Sequence, residues 1–142
     1  MAQSPSGDDP TTGVPYTDMD GDFHLNGTSL WVEGSWLRLG APTISTIASG
    51  VLTVTKSFTA MAAESSTTDQ VDSITLSGTT VADGDLLVLI ADSGDTITLD
   101  DASINLGAAT RAVGPGGCIV LRYDGVESQW TEVVFLAGSD NA

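Results

Sequence analysis

From Val51 to Phe58 the residues Val51, Thr53, Thr55 and Ser57 alternate with Leu52, Val54, Lys56 and Phe58, the two-residue period of a strand with one face against a core. Residues 43–47 have the same β-branched character. Further apolar runs predict strands over 71–76, 86–91, 96–99, 103–106, 117–123 and 130–136. The separators are turn chemistry: Ser77-Gly78, Asp83-Gly84-Asp85, Asp92-Ser93-Gly94-Asp95, Gly114-Pro115-Gly116-Gly117 and Asp124-Gly125. Short strands at this spacing predict an all-β fold, an antiparallel β-sandwich or jelly-roll-like domain over residues 43–142. Only residues 59–65 tolerate a helix, and they run straight into Ser66-Thr67-Thr68-Asp69, so at most one turn is expected there. Leu86-Leu87-Val88-Leu89-Ile90 and Cys118-Ile119-Val120-Leu121 are apolar without alternation. Both are expected to be covered on both faces, either centrally in the core or against a neighbouring subunit.

Upstream the pattern shortens. Phe23-His24-Leu25, then Leu30-Trp31-Val32 and Trp36-Leu37-Arg38-Leu39, are joined by Asn26-Gly27 and Glu33-Gly34-Ser35, which predicts a small β-meander over residues 22–42. A similar order, strand, Gly-containing turn and Trp-led strand, recurs at Leu121 to Val134, as two hairpins of like chemistry also would. Residues 1–21 are rich in Pro, Gly, Ser, Thr and Asp and cannot build a core, so they predict an extended arm that anchors the chain or clasps a neighbour. The 142 residues suit one domain with such an arm.

Charge narrows the partners. Nineteen acidic residues face four cations, Arg38, Lys56, Arg111 and Arg122, for a net charge of −15. Scattered cations cannot follow a phosphate backbone, so nucleic acid is not expected as a partner, nor is an anionic membrane. No window reaches the roughly 20 apolar residues of a membrane span. With Asp far ahead of Glu and a single lysine, the composition resembles that of proteins working in concentrated salt, where a Debye length of about 3 Å at 1 M removes repulsion between carboxylates; the other reading is an ordinary acidic, soluble surface. Hydrophobic residues make up 41% of the chain, enough to fold it. Met1 to Pro10 has neither basic residues nor an apolar stretch, so neither a signal nor a transit peptide is expected, and synthesis and folding are expected in a cytoplasm.

Little in the chain suggests chemistry. His24 is the single histidine and sits in a short alternating strand, and Cys118 is the single cysteine, expected as a buried, inert thiol. Gly114-Pro115-Gly116-Gly117 lacks a following Lys and leads into a strand, so it is a turn and not a phosphate cradle. The metal-like cluster is Asp18-Met19-Asp20-Gly21-Asp22, whose carboxylates Asp18, Asp20 and Asp22 could surround calcium (Ca2+). It departs from the helical calcium loop by Phe23 and Ser29 at the Gly and Glu positions. Asp83-Gly84-Asp85 and Asp100-Asp101 are weaker versions. Trp31, Trp36 and Trp130 are aromatics for a core or a subunit interface, or for stacking on a sugar. No catalytic residue and no cofactor are expected.

From Gly50 onward four segments stand in order: Leu52 to Phe58, Asp69 to Ile74, Asp83-Gly84-Asp85-Leu86-Leu87-Val88-Leu89, and Ile119 to Gly125 continuing through Trp130-Thr131-Glu132-Val133. In these the chain resembles a small C-terminal β-domain of tail-fibre and minor structural proteins of tailed phages, over residues 50–142. The hairpin from Phe23 to Leu39 is similar to Gly-and-Trp meanders of fibre proteins. The resemblance implies a non-enzymatic virion protein, a homotrimer with a pentamer as alternative, whose partners are copies of itself and other capsid or tail proteins. The chain departs from a long fibre in having no shaft. That departure and the acidic composition shift the expectation to a head decoration, turret or short head fibre of a virus with a halophilic host, anchored through the N-terminal region. The alternative is a receptor- or glycan-binding tail-fibre tip, and a metal-dependent enzyme is the least supported reading.

Overall fold

A computed structural model describes residues 40–139, together with the backbone of two short strands, β1 (Tyr16–Thr17) and β2 (Phe23–His24). The chain divides into two compact units, Met1–Arg38 and Leu39–Ala142. In the first, β1 and β2 pair antiparallel, with Tyr16 opposite His24 and Thr17 opposite Phe23. The predicted turns at Asn26-Gly27 and Glu33-Gly34-Ser35, and the rest of the predicted arm and meander, lie outside the described residues.

The second unit is all-β, with no helix among the described residues. Its strands in chain order are β3 (Thr43–Thr46), β4 (Val51–Val54), β5 (Phe58–Ala62), β6 (Thr68–Val71), β7 (Ser73–Leu76), β8 (Leu86–Ala91), β9 (Thr96–Asp100), β10 (Ile104–Asn105), β11 (Thr110–Val113), β12 (Cys118–Asp124) and β13 (Gln129–Leu136). They form a six-stranded sheet in the order β10-β13-β12-β8-β5-β3, a three-stranded sheet β11-β9-β6 and a two-stranded sheet β4-β7.

The sheets are mixed, which departs from the expected antiparallel pairing. β3 and β5, β5 and β8, β4 and β7, and β6 and β9 all pair parallel. The chain turns corners from one sheet to the next and returns to lie on its previous pass, giving a solenoid-like stack. Backbone bonding between passes continues through the corners: the Asp72 and Ser73 N–H groups donate to the Gly50 carbonyl, Asp92 N–H to Met61 and Thr96 N–H to Thr67. The backbone polar groups of the corners thus find partners without a hairpin ladder. The stack then ends by reversal. β11 runs antiparallel to β9, β12 antiparallel to β8, and β13 antiparallel to β12 and parallel to β10.

Alternation decides what fills the interior. Leu52 and Val54 of β4, Leu87 and Leu89 of β8, Ile97 and Leu99 of β9, and Ile119 and Leu121 of β12 point inward and join one buried cluster with Met61, Val71, Ile104 and Trp130. Aligned registers place Leu89 beside Ile119 and Leu87 beside Leu121, so aliphatic side chains stack in ladders. The segment 59–65, where one helical turn was allowed, instead supplies most of β5. There Met61 and Thr59 are fully buried, and pairing on both sides outweighs the helix propensity of Ala and Met.

The expected single strand over 71–76 is broken at Asp72 into β6 and β7, which lie in different sheets. The first pass is shorter than the next because it turns tightly at Ala48-Ser49-Gly50-Val51. Ser49 and Gly50 have φ of 51° and 78°, and the Ala48 and Val51 N–H groups each donate to the other's carbonyl. Both values lie in the left-handed region of two-residue hairpin turns. Gly50→Ala is expected to lower the urea midpoint by the equivalent of about 1–2 kcal/mol, and its Cβ would also press on the Asp72 carboxylate.

Candidate interaction surface

The sheet containing β8 and β12 has two unequal faces. Inward residues are fully buried, whereas the alternate ones lie on the outside of the stack: Leu86, Val88 and Ile90 on β8, and Cys118 and Val120 on β12. The two continuously apolar runs are therefore covered on one face by this chain's own core. Register extends the outer face across the sheet. One row runs Ile44, Ala60, Ile90, Cys118, Leu136, and the next runs Phe58, Val88, Val120, Val134. Every residue in both rows is apolar. Ile44 is 62% exposed, Leu136 58%, Val134 53% and Leu86 52%. Between them Ala60 is buried and Phe58, Val88, Ile90, Cys118 and Val120 are half-buried, so the face is a candidate contact surface with its exposed side chains set apart.

The face is bordered by charge at one end. Beyond Val120 comes Arg122, whose guanidinium lies 3.5 Å from both the Asp83 and the Asp124 carboxylates. Asp124 is held below its usual carboxylate range, first by the Glu127 and Val126 N–H groups it accepts and then by the Arg122 charge. A β-bulge between Val120 and Leu121 shifts the pairing of β12 with β13, leaving Val133 as an extra residue on β13.

On β13 the inward positions hold the unit together. Glu132 accepts two bonds from Arg111, at 2.8 Å from Nε and 2.9 Å from Nη2, and a third from the Gly107 N–H at 3.1 Å. Arg111 also lies over the Phe135 ring, 4.8 Å from its centroid. Arg111 holds the Glu132 carboxyl below the usual range, helped by the Gly107 N–H and opposed by partial burial. A carboxyl depressed on folding contributes stability above its unfolded pKa and loses it as pH falls through the folded value. Glu132→Gln is therefore expected to cost about 1–2 kcal/mol at neutral pH. The gap to the unaltered chain should close below pH 4 in acid-titrated melting curves, and a gap that widens there would contradict this role.

The sequence's site candidates fall in different places. Asp18, Asp20, Asp22, Trp31 and Trp36 lie outside the described residues, and His24 is placed only as the partner of Tyr16 in β2. Trp130 is 6% exposed and sits in the core, edge-on to Tyr123 with ring centroids 5.3 Å apart, so its ring is used inside this chain. Cys118 is half-buried on the outer face, not within the core.

The Asp-rich turns are occupied with backbone. Asp83 accepts the Gly125 N–H, Asp85 that of Ala82, Asp95 that of Ala63, Asp100 that of Ala102 and Asp101 that of Leu106. Among the described residues no three metal-ligating side chains cluster together. The turn 114–117 closes on the C-terminal segment through Gly114 N–H to the Ala137 carbonyl and Ser139 N–H to that of Pro115.

One cleft of about 460 Å³ opens beside Lys56, Phe58 and Leu86, with the hydroxyls of Thr55, Ser57, Thr79 and Thr80 around it. The sequence left open whether the apolar runs 86–90 and 118–121 lie centrally in the core or against a neighbouring subunit, and the alignment of the outer rows across five strands was not legible in it. Two unalternating runs could be covered twice only if something besides this chain's core lay on them.

No family model matches the chain, and no curated protein does. A solved structure described as "Structure of a chaperone-substrate complex" is similar over 61% of this chain at 12% sequence identity and a TM-score of 0.39. The match spans only 14% of that chain, a likeness too slight to assign a shared fold.

Proposed function

We propose that the chain is a non-enzymatic virion structural protein: a homo-oligomeric head-decoration, turret or fibre component of a tailed virus, anchored through its N-terminal region and made in a host cytoplasm. The observation that carries this reading is the apolar outer face of the six-stranded sheet on a chain of net charge −15. A protein whose surface is otherwise acidic gains nothing in solution from two uninterrupted apolar rows, and an assembly subunit does. The likeness of residues 50–142 to the small β-domain of phage fibre and minor structural proteins supports the same reading. A trimer is the favoured stoichiometry. In this reading the β-body is a short solenoid and not a jelly roll, its stacked passes forming the projecting part.

The test is co-sedimentation of the full chain, and of a chain lacking residues 1–21, with virus particles stripped of it. The full chain is expected to pellet with particles, and the truncated one to assemble but stay in the supernatant. A full chain that remains with the supernatant, or that hydrolyses a substrate in a manner abolished by His24→Ala, would overturn the proposal. The cleft beside Phe58 and Lys56 favours a second reading, a glycan-binding tip. It predicts binding to a glycan array that is lost in Phe58→Ala.

A further inference from the structure

We infer that the open edge of β7 forms one side of a groove for a linear, uncharged oligosaccharide, in which two adjoining clefts act as a single site. The inference rests on the glycan-binding reading above and extends it from one cleft to a groove with a stated class of ligand.

The groove follows from an unfinished sheet. β3, β5 and β8 stack as successive passes of one sheet, whereas β7 has β4 on one side and no strand on the other among the described residues. The Ser73 and Ser77 N–H groups donate to the Gly50 and Val54 carbonyls, so in this parallel register Ser73 and Thr75 direct their backbone groups to β4. Ile74 and Leu76 alternate with them and turn their N–H and C=O groups to the open side. β10 follows one pass later, yet it pairs with β13 and not with β7. The Ser103 hydroxyl, which donates to the Asp72 carbonyl, ties the approach to β10 to the start of β7.

Space remains along that edge. A second cleft of about 400 Å³ lies between Ser73 to Leu76 on one side and Ser103, Tyr123, Ser128 and Gln129 on the other. It shares Leu76, Val81 and Trp130 with the cleft of about 460 Å³ beside Phe58 and Lys56, so the two adjoin. Each falls within the roughly 300–1,000 Å³ of small-molecule sites.

The walls select a sugar. The unpaired backbone of Ile74 and Leu76 faces hydroxyls and the Gln129 amide, groups that give and accept hydrogen bonds as sugar hydroxyls do. Leu76, Val81 and Trp130 supply an apolar strip for the C–H faces of the rings. Charge selects a neutral sugar. No charged side chain lines the second cleft, and the first has one of each sign, Lys56 and Asp85. A chain of net charge −15 repels an acidic oligomer. Strand addition by a peptide would use the same edge, but β7 offers only Ile74 and Leu76 as unpaired backbone, too short a ladder to favour it.

The experiment is calorimetric titration of the full chain with neutral gluco-, galacto- and manno-oligosaccharides of increasing length, and with uronic acid oligomers as the charged comparison. The expected result is an affinity that rises with length in one neutral series and is at least about ten-fold weaker for the acidic oligomers. Phe58→Ala in one cleft and Gln129→Ala in the other are each expected to weaken the longest oligomer by about ten-fold. Tyr123→Phe, which keeps the ring against Trp130 and removes only a hydroxyl, is expected to weaken it several-fold and serves if Gln129→Ala does not fold. Loss confined to Phe58→Ala, with no gain from length, overturns the groove and leaves the single-cleft glycan reading standing. Tighter binding of the acidic oligomers also overturns it, as does binding of a synthetic peptide of alternating Val and Thr in place of the sugars. A chain that binds no oligosaccharide removes both.

Discussion

Leu89→Ala is expected to destabilise the β-body by about 3 kcal/mol, a fall in Tm of more than about 10 °C for a unit of this size. Leu89 is fully buried, and its partner across the β8–β12 pair is the equally buried Ile119. The comparison that gives the number meaning is Leu86→Ala on the same strand. Leu86 is 52% exposed on the outer face, so its truncation is expected to cost under about 1 kcal/mol in the monomer. Measured by urea unfolding at low ionic strength, equal losses at the two positions would mean that the faces of β8 are not distinct.

Gly117→Ala is expected to be comparably damaging, at about 2–4 kcal/mol. A Cβ there would meet the Ala137 carbonyl and, at 2.6 Å, the Leu136 carbonyl oxygen. Both are backbone groups of the C-terminal segment, which is tied to the turn by the Gly114 to Ala137 and Ser139 to Pro115 bonds and cannot simply swing aside. Gly116→Ala is the control. Gly116 has φ of 75° but nothing within 4 Å of the added carbon, so only the left-handed backbone penalty of about 1–2 kcal/mol applies. If the two substitutions cost the same, the close approach at Gly117 is not what requires glycine.

Much of the strand content was legible in the residues, because a two-residue period with β-branched side chains is a local property. The runs at 86–91 and 130–136 became β8 and β13 almost to the residue. What alternation does not encode is direction. Val71 to Leu76 reads as one strand, yet the Asp72 and Ser73 N–H groups turn toward Gly50, more than twenty residues back, and that distant bond puts β6 and β7 in separate sheets. β11 escaped notice because only Val113 of its four residues is buried, so Thr110-Arg111-Ala112-Val113 shows no apolar period. The aspartates were read for their charge and as turn formers. Their short side chains also serve as acceptors for corner N–H groups, a use visible only once the corners are folded.

The reversal at β11 to β13 has a consequence for size. The last passes, β8 and β9, each receive an antiparallel neighbour, which closes that end of the stack to any additional parallel turn, whereas β3 terminates the six-stranded sheet at its opposite margin. Duplicating a whole pass, from Phe58 to the residue before Val88, would lengthen the stack of the second unit while keeping β11 to β13 as its closing strands, so that its length is set by the number of passes and needs no new architecture.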